Sequence, residues 1–335
     1  MSNEPQARFP FPFEDPASRS PGYEPPPAFG SVPPVAVRRP RFQQKLGKHI
    51  LLFLLTVVTT TAAGACHYGS FVSELRPIVW DWSFLWNGFW YSGTLLLILG
   101  AHEMGHYLYC RRYNVDATLP YFIPAPIPLT GTLGAVIRIR EAFPTRKVLF
   151  DIGVAGPIAG FVVLVPAFFV GLSMSQVILA PPLSESLIEL GEPLLFQWGA
   201  DLMFGPMPEG HTINMHPMVF ATWFGMLATA LNLLPFGQLD GGHITYATLG
   251  RWSTSISILT VGAAVAMTFV SMSWIFMTVM LVLMLVVLGP RHPRVVNEYE
   301  PLGRGRLLIA LAALAMLIVC FTPVPIQPYD LVRNP

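Results

Sequence analysis

The sequence predicts an all-α polytopic membrane protein of about seven transmembrane helices, with a small membrane-associated β element between the second and third. Three observations carry that expectation. Of 335 residues, 53% are hydrophobic and only 12% charged, whereas ordinary soluble domains are about a quarter charged; the mean hydropathy is +0.53. Apolar runs recur at close to the length of about 20 residues that a helix needs to cross hydrocarbon. The third observation is the placement of charge. The N-terminal collar, Arg111, Arg112, Arg138, Arg140, Arg146, Lys147, Arg251, Arg291, Arg294, Arg304 and Arg306 all fall on one side of a seven-span count. The stretch 175–215 on the other side has no lysine or arginine but carries Glu185, Glu189, Glu192, Asp201 and Glu209. Positive charge concentrates in cytoplasmic loops, so the N-terminus is expected inside and the C-terminus outside.

Residues 1–45 are proline-rich, with Pro25, Pro26, Pro27, Pro33 and Pro34 among them, and lack a helical apolar stripe; a disordered cytoplasmic tail is expected. It ends in a basic collar, Arg38, Arg39, Arg41, Lys45 and Lys48. The first apolar run begins near His49, too late for a cleavable signal peptide. Spans are expected at 49–67, 89–110, 148–174, 216–235, 253–271, 273–289 and 306–322, with Ser271, Met272 and Ser273 turning the fifth into the sixth. The transmembrane domain then covers 46–325, its functional core about 89–250, and 326–335 is a short tail. Within the connections, Gly131–Arg140 has the partly alternating, β-branched pattern of a strand. The acidic, aromatic stretch 183–204 is expected to form an interfacial helix, and 236–252 to dip into the membrane. The net charge of +1 and the absence of a basic cluster exclude a general polyanion binder. No nucleic-acid partner is expected. Cys66, Cys110 and Cys320 show no pairing or ligand spacing.

The second span contains His102-Glu103-Met104-Gly105-His106. Ionisable groups at membrane depth are costly and mark functional sites. Residues four apart share a helix face, so His102 and His106 can point two imidazoles at one ion. Glu103 is placed to take a proton from water activated there. From Gly88 at the outer edge to His102 is about 21 Å of helix, which puts the motif in the inner third of the bilayer. A catalytic zinc takes three protein ligands, so a third is required. Cys110 continues the same face but sits about 12 Å from His102 along the axis, too far for one ion. Asn232 through His243 is the better source. Pro235 should end the fourth span and three glycines permit sharp turns, placing Asp240 on irregular backbone, which at membrane depth is tolerated beside a hydrated cavity. His243 is a competing ligand or a group that orients Asp240. Gly153, Gly156 and Gly160 form a close-packing helix face, and Asp151 an interfacial anchor. His49, His67, His211, His216 and His292 fall at span ends or in loops and are given no catalytic role.

These motifs resemble those of the site-2 proteases, intramembrane zinc metalloproteases. His102 to His106 lie in one span, Gly153-Val-Ala-Gly156-Pro-Ile-Ala-Gly160 opens the next, and Asn232-Leu-Leu-Pro235 through Leu239-Asp240-Gly241-Gly242 closes the set in family order. The resemblance implies one Zn²⁺ per chain held by His102, His106 and Asp240, with Glu103 as general base and Asn232 holding the scissile carbonyl or oxyanion. It implies the minimal form without a PDZ domain, since only about 40 residues separate the second and third spans. Single-span membrane proteins are the implied substrates, and an exposed edge in 131–140 could receive them by strand addition. A bacterial cytoplasmic membrane is expected from the short outer loops and missing transit peptide. The competing expectation is a divalent-cation transporter using the same His, Glu and Asp side chains.

Overall fold

The computed structural model describes residues 42–75, 82–180, 188–289 and 292–328; most of the proline-rich tail therefore lies outside the described residues. Each of the seven expected apolar runs is a helix. They are α1 (Leu46–Ser73), α2 (Ser83–Arg112), α3 (Arg146–Ser173), α5 (Pro217–Leu233), α7 (Trp252–Met267), α8 (Trp274–Leu288) and α9 (Arg304–Cys320), joined by two shorter ones, α4 (Leu194–Phe204) and α6 (Asp240–Leu249). Among the described residues, only α1, α2 and α3 are long and apolar enough to cross a membrane by length and composition. The others run 15 to 17 residues, short of the ~20 that a bilayer core asks for. Seven full spans are thus more than the helix lengths support, although the seven apolar segments are where the sequence places them.

The central helix is α3, whose apolar window is 61% buried, against 39% for α1 and 44% for α2. Leu164, Phe168 and Leu172 on α3 pack with Ile98 of α2 and with Val219 and Met226 of α5, while Leu149, Phe150 and Val154 pack against Leu233, Tyr246 and Met316. These buried side chains remove apolar surface worth about 1.5–3 kcal/mol each. On α1, Ile50, Leu51, Leu54 and Val58 face outward, as a helix flank meeting lipid tails would. Helices α1 and α2 cross backbone to backbone: a Cβ on Gly64 would strike the Gly88 carbonyl, and one on Gly88 the Thr61 carbonyl. Small residues permit that approach.

Between α2 and α3, β1 (Tyr121–Pro124) and β2 (Thr132–Val136) pair antiparallel, Tyr121 opposite Val136 and Phe122 opposite Ala135, with a bulge between Phe122 and Pro124. The strand is shorter than the alternation suggested. Residues beyond Val136 leave the ladder because Thr118 N–H donates to Arg138 O at 3.0 Å and Arg140 N–H to Asp116 O at 2.8 Å. Two further two-stranded sheets were not foreseen: β3 (Gln176–Leu179) with β5 (His211–Asn214), and β4 (Ile188–Leu190) with β6 (Ile326–Pro328). Of the interfacial helix expected over 183–204, residues 194–204 form α4 and 188–190 a strand, while 183–187 lie outside the described residues. Residues 326–328, expected within a terminal tail, join a sheet instead.

The N-terminal ends of α3 and α9, within their first two turns, are clamped together. Arg306 Nε and Nη2 each donate to Asp151 at 2.7 Å, and Tyr113 OH donates to the same carboxylate at 2.5 Å. Asp151 is thus spent on a bidentate ion pair, away from the chemistry. Charge-assisted forks of this kind are among the stronger hydrogen bonds. Asp151→Asn is expected to cost about 1–3 kcal/mol and to lower the melting temperature in detergent without changing metal content. An unchanged melting temperature would show that the clamp contributes nothing.

Candidate metal centre

The centre is assembled from α2, α3, α5 and α6. His102 and His106 sit one turn apart in α2, their ring centroids 4.9 Å apart, in the half of the helix nearer its Arg112 end. Both, with Glu103, are 6–7% exposed. The segment 234–239 between α5 and α6 brings in the third donor. Helix α5 stops at Leu233, before Pro235, and Gly237 takes φ +50°, a region glycine enters without cost. Asp240 is the first residue of α6, so it sits at a helix start, with the irregular backbone just before it. Gly241 and Gly242 serve close packing: a Cβ there would meet the Leu233 and Gly237 carbonyls.

One carboxylate spans both imidazoles. Asp240 Oδ2 lies 3.1 Å from His102 Nε2, Asp240 Oδ1 lies 3.2 Å from His106 Nε2, and the two Nε2 atoms are 3.1 Å apart. His106 Nδ1–H donates to the Ile152 carbonyl at 2.7 Å, which leaves Nε2 as a bare lone pair. Lone-pair atoms crowded this closely repel unless a cation or a proton lies among them. Ligands at 2.0–2.1 Å around a tetrahedral ion lie about 3.3 Å apart, so the spacing and the N₂O donor set both fit zinc. His102, His106 and Asp240 form the one group among the described residues whose donor atoms converge this way.

The remaining candidates fall nearby. The Asn232 amide of α5 donates to His102 Nε2 at 3.3 Å. The Glu103 carboxylate is met by the backbone N–H of Ile137 just past β2, a contact hidden from the sequence because any residue supplies it. No hydrogen bond joins His243 to Asp240 among the described residues. Instead His243 Nδ1 pairs with His292 Nε2 at 2.6 Å, a contact across 49 residues that the sequence reading did not foresee. The glycine face of α3 does pack closely, as expected, but its partner is the centre itself. A Cβ on Gly156 would land on the His106 ring, and one on Gly160 would sit 3.2 Å from His102 Cβ. The Gly-x-x-Gly-x-x-x-Gly spacing was the visible signal; what it faces was not.

Residues 90–276, more than half of the chain, match Peptidase family M50. Among curated proteins, the chain is 31% identical over 189 residues to the "Probable zinc metalloprotease EGY2, chloroplastic" of Arabidopsis thaliana, covering 53% of this chain and 33% of that protein. It is 36% identical over 166 residues to EGY1 of the same plant, 47% of this chain and 29% of the relative, and 31% identical over 228 residues to EGY1 of Oryza sativa subsp. japonica, 60% and 38%. The chain thus spans about a third of the length of these relatives. No solved structure matches it. The apolar helices make it an integral membrane protein, and its match over 90–276 places it in Peptidase family M50, the site-2 protease family of zinc metalloproteases.

Proposed function

We propose that this chain is an intramembrane endopeptidase that cuts peptide bonds within or near the transmembrane segments of single-span membrane proteins. The observation that carries the reading is the convergence of His102, His106 and Asp240 beside Glu103 on buried apolar helices. The first three hold the ion and Glu103 handles the proton. Held by these three donors, a zinc ion would supply Lewis acidity toward a carbonyl and toward water. Glu103 accepts the water's proton and returns it to the leaving amine, the Ile137 amide keeping its carboxylate turned to the β2 side. The Asn232 amide, 3.3 Å from His102 Nε2, is placed to donate to the scissile carbonyl oxygen. The family match favours hydrolysis over the cation-transporter alternative.

A transmembrane substrate hides its peptide bonds in helical hydrogen bonds and must unwind, and its freed backbone groups then need partners. Strand β2 offers them. Its second edge has no strand partner among the described residues, Leu133 and Val136 are exposed, and its end lies against Glu103. A proline substitution at Leu133 is expected to abolish cleavage while zinc stays at one per chain; normal cleavage by the variant would remove β2 from the substrate path.

The charge asymmetry supports an N-terminus on the cytoplasmic side and a centre in the inner third of the bilayer. Seven apolar helices crossing or entering the membrane, a proline-rich tail over 1–45 and a catalytic core of about 89–250 complete the arrangement we infer. The relatives compared are chloroplast proteins, so the bacterial expectation draws nothing from them. The decisive experiment reconstitutes the full chain in lipid with a labelled single-span protein. Chelation is expected to stop cleavage and zinc to restore it. Cleavage that survives complete metal removal would overturn the reading.

A further inference from the structure

We propose that His292, on the connection between α8 and α9, is a positioning residue that sets the tautomer of His243 and thereby presents a bare imidazole nitrogen beside the metal centre. The inference rests on the proteolytic reading above. His292 Nδ1 lies 2.6 Å from the Pro293 carbonyl. A carbonyl only accepts, so Nδ1 carries the proton and the neutral ring keeps a lone pair on Nε2. That atom is 2.6 Å from His243 Nδ1, which must therefore be the donor. The proton of a neutral His243 is committed to Nδ1, and Nε2, across the ring from His292, is left as an acceptor.

His243 lies three residues past Asp240, on the same face of α6. Its Cβ stands over Gly153 on α3, where an added Cβ would come within 2.9 Å of it and 3.6 Å of the Asp240 carbonyl oxygen. The ring is thus carried by the same helix face as Asp240, and its free nitrogen can accept only from a donor. A peptide N–H released from the unwound substrate has that chemistry. The connection that carries His292 is itself held. Val296 N–H donates to Phe143 O at 3.0 Å, Asn297 N–H to Pro144 O at 2.9 Å, and Lys147 pairs with Glu300 at 2.6 Å. The His292 ring is 8% exposed and stacks on Tyr246 at 4.5 Å. A relay fixed at both ends orients a site group, and loss of such a partner typically costs about 10–100-fold in activity or metal affinity.

The test is ¹⁵N NMR of ring-labelled histidines in the zinc-loaded full chain, with His243→Gln to assign the His243 signals. The expected spectrum shows the Nδ1–H form of His243. His292→Leu should mix the tautomers and lower kcat/KM about 10–100-fold with zinc still at one per chain, and His292→Gln, which keeps an acceptor, should restore both. An Nε2–H form in the unaltered protein overturns the proposal. So does His292→Leu with unchanged kcat/KM, or with lost zinc, which would make the residue a support for the ion instead. Should His292→Leu fail to fold, the unaltered spectrum and His292→Gln still decide. The tautomer is read without substrate, so a protein that cleaves nothing would sink the proteolytic reading separately.

Discussion

Replacing Glu103 by glutamine is expected to lower peptide hydrolysis by about 10²–10⁴-fold, the usual worth of a positioned acid–base group, while zinc stays at one per chain. The three converging donor atoms belong to His102, His106 and Asp240, and Glu103 is not among them. Glutamine keeps the shape of the side chain and an oxygen that can accept from Ile137 N–H; it loses only the ability to take a proton. Metal analysis beside a cleavage assay on the same preparation checks both halves. If zinc is lost with activity, Glu103 is a ligand, and the arrangement is that of an ion-binding site.

The second large effect is expected from Gly156→Ala, a change far from the motif in sequence. The added methyl would occupy the space of the His106 ring. That ring is tied to the Ile152 carbonyl at 2.7 Å, and the neighbouring Gly105 already lies against the Ala155 carbonyl. Neither α2 nor the imidazole can retreat. Overpacking of this kind costs about 1–3 kcal/mol, and displacement of a ligand ring should weaken zinc binding by at least the ~10–100-fold typical of losing a supporting partner. Gly93→Ala is the control, a site on α2, the helix that carries His106, with no atom within 4 Å of an added Cβ. Zinc binding that survives Gly156→Ala would place α3 farther from His106 than the structure has it.

Much of this was legible in the chain because the physics involved is local. Apolar runs form helices wherever the backbone must satisfy its own hydrogen bonds, which is why the seven helices lie within a few residues of their expected positions, save for the earlier starts of α1 and α2 and the longer reach of α1. The His102–His106 pair follows from helical periodicity alone. Helix lengths were less legible: tertiary packing and Pro235 trimmed α5 to 17 residues, and hydropathy windows do not see such trimming. The two outer sheets escaped notice because their strands are three or four residues long, with too little alternation to stand out.

The sequence by itself determined a membrane-embedded helical protein, two imidazoles on one helix face and a carboxylate beside them, since each needs only neighbours within one helix. Tertiary structure decided the rest. It set Asp240 across both imidazoles, turned the Ile137 amide to Glu103, laid the α3 glycines on the ligand rings and joined His292 to His243. Those pairings link residues tens to more than a hundred positions apart. Nothing in a linear pattern encodes which backbone carbonyl or glycine face will lie opposite a given ring, because close packing of whole helices settles that.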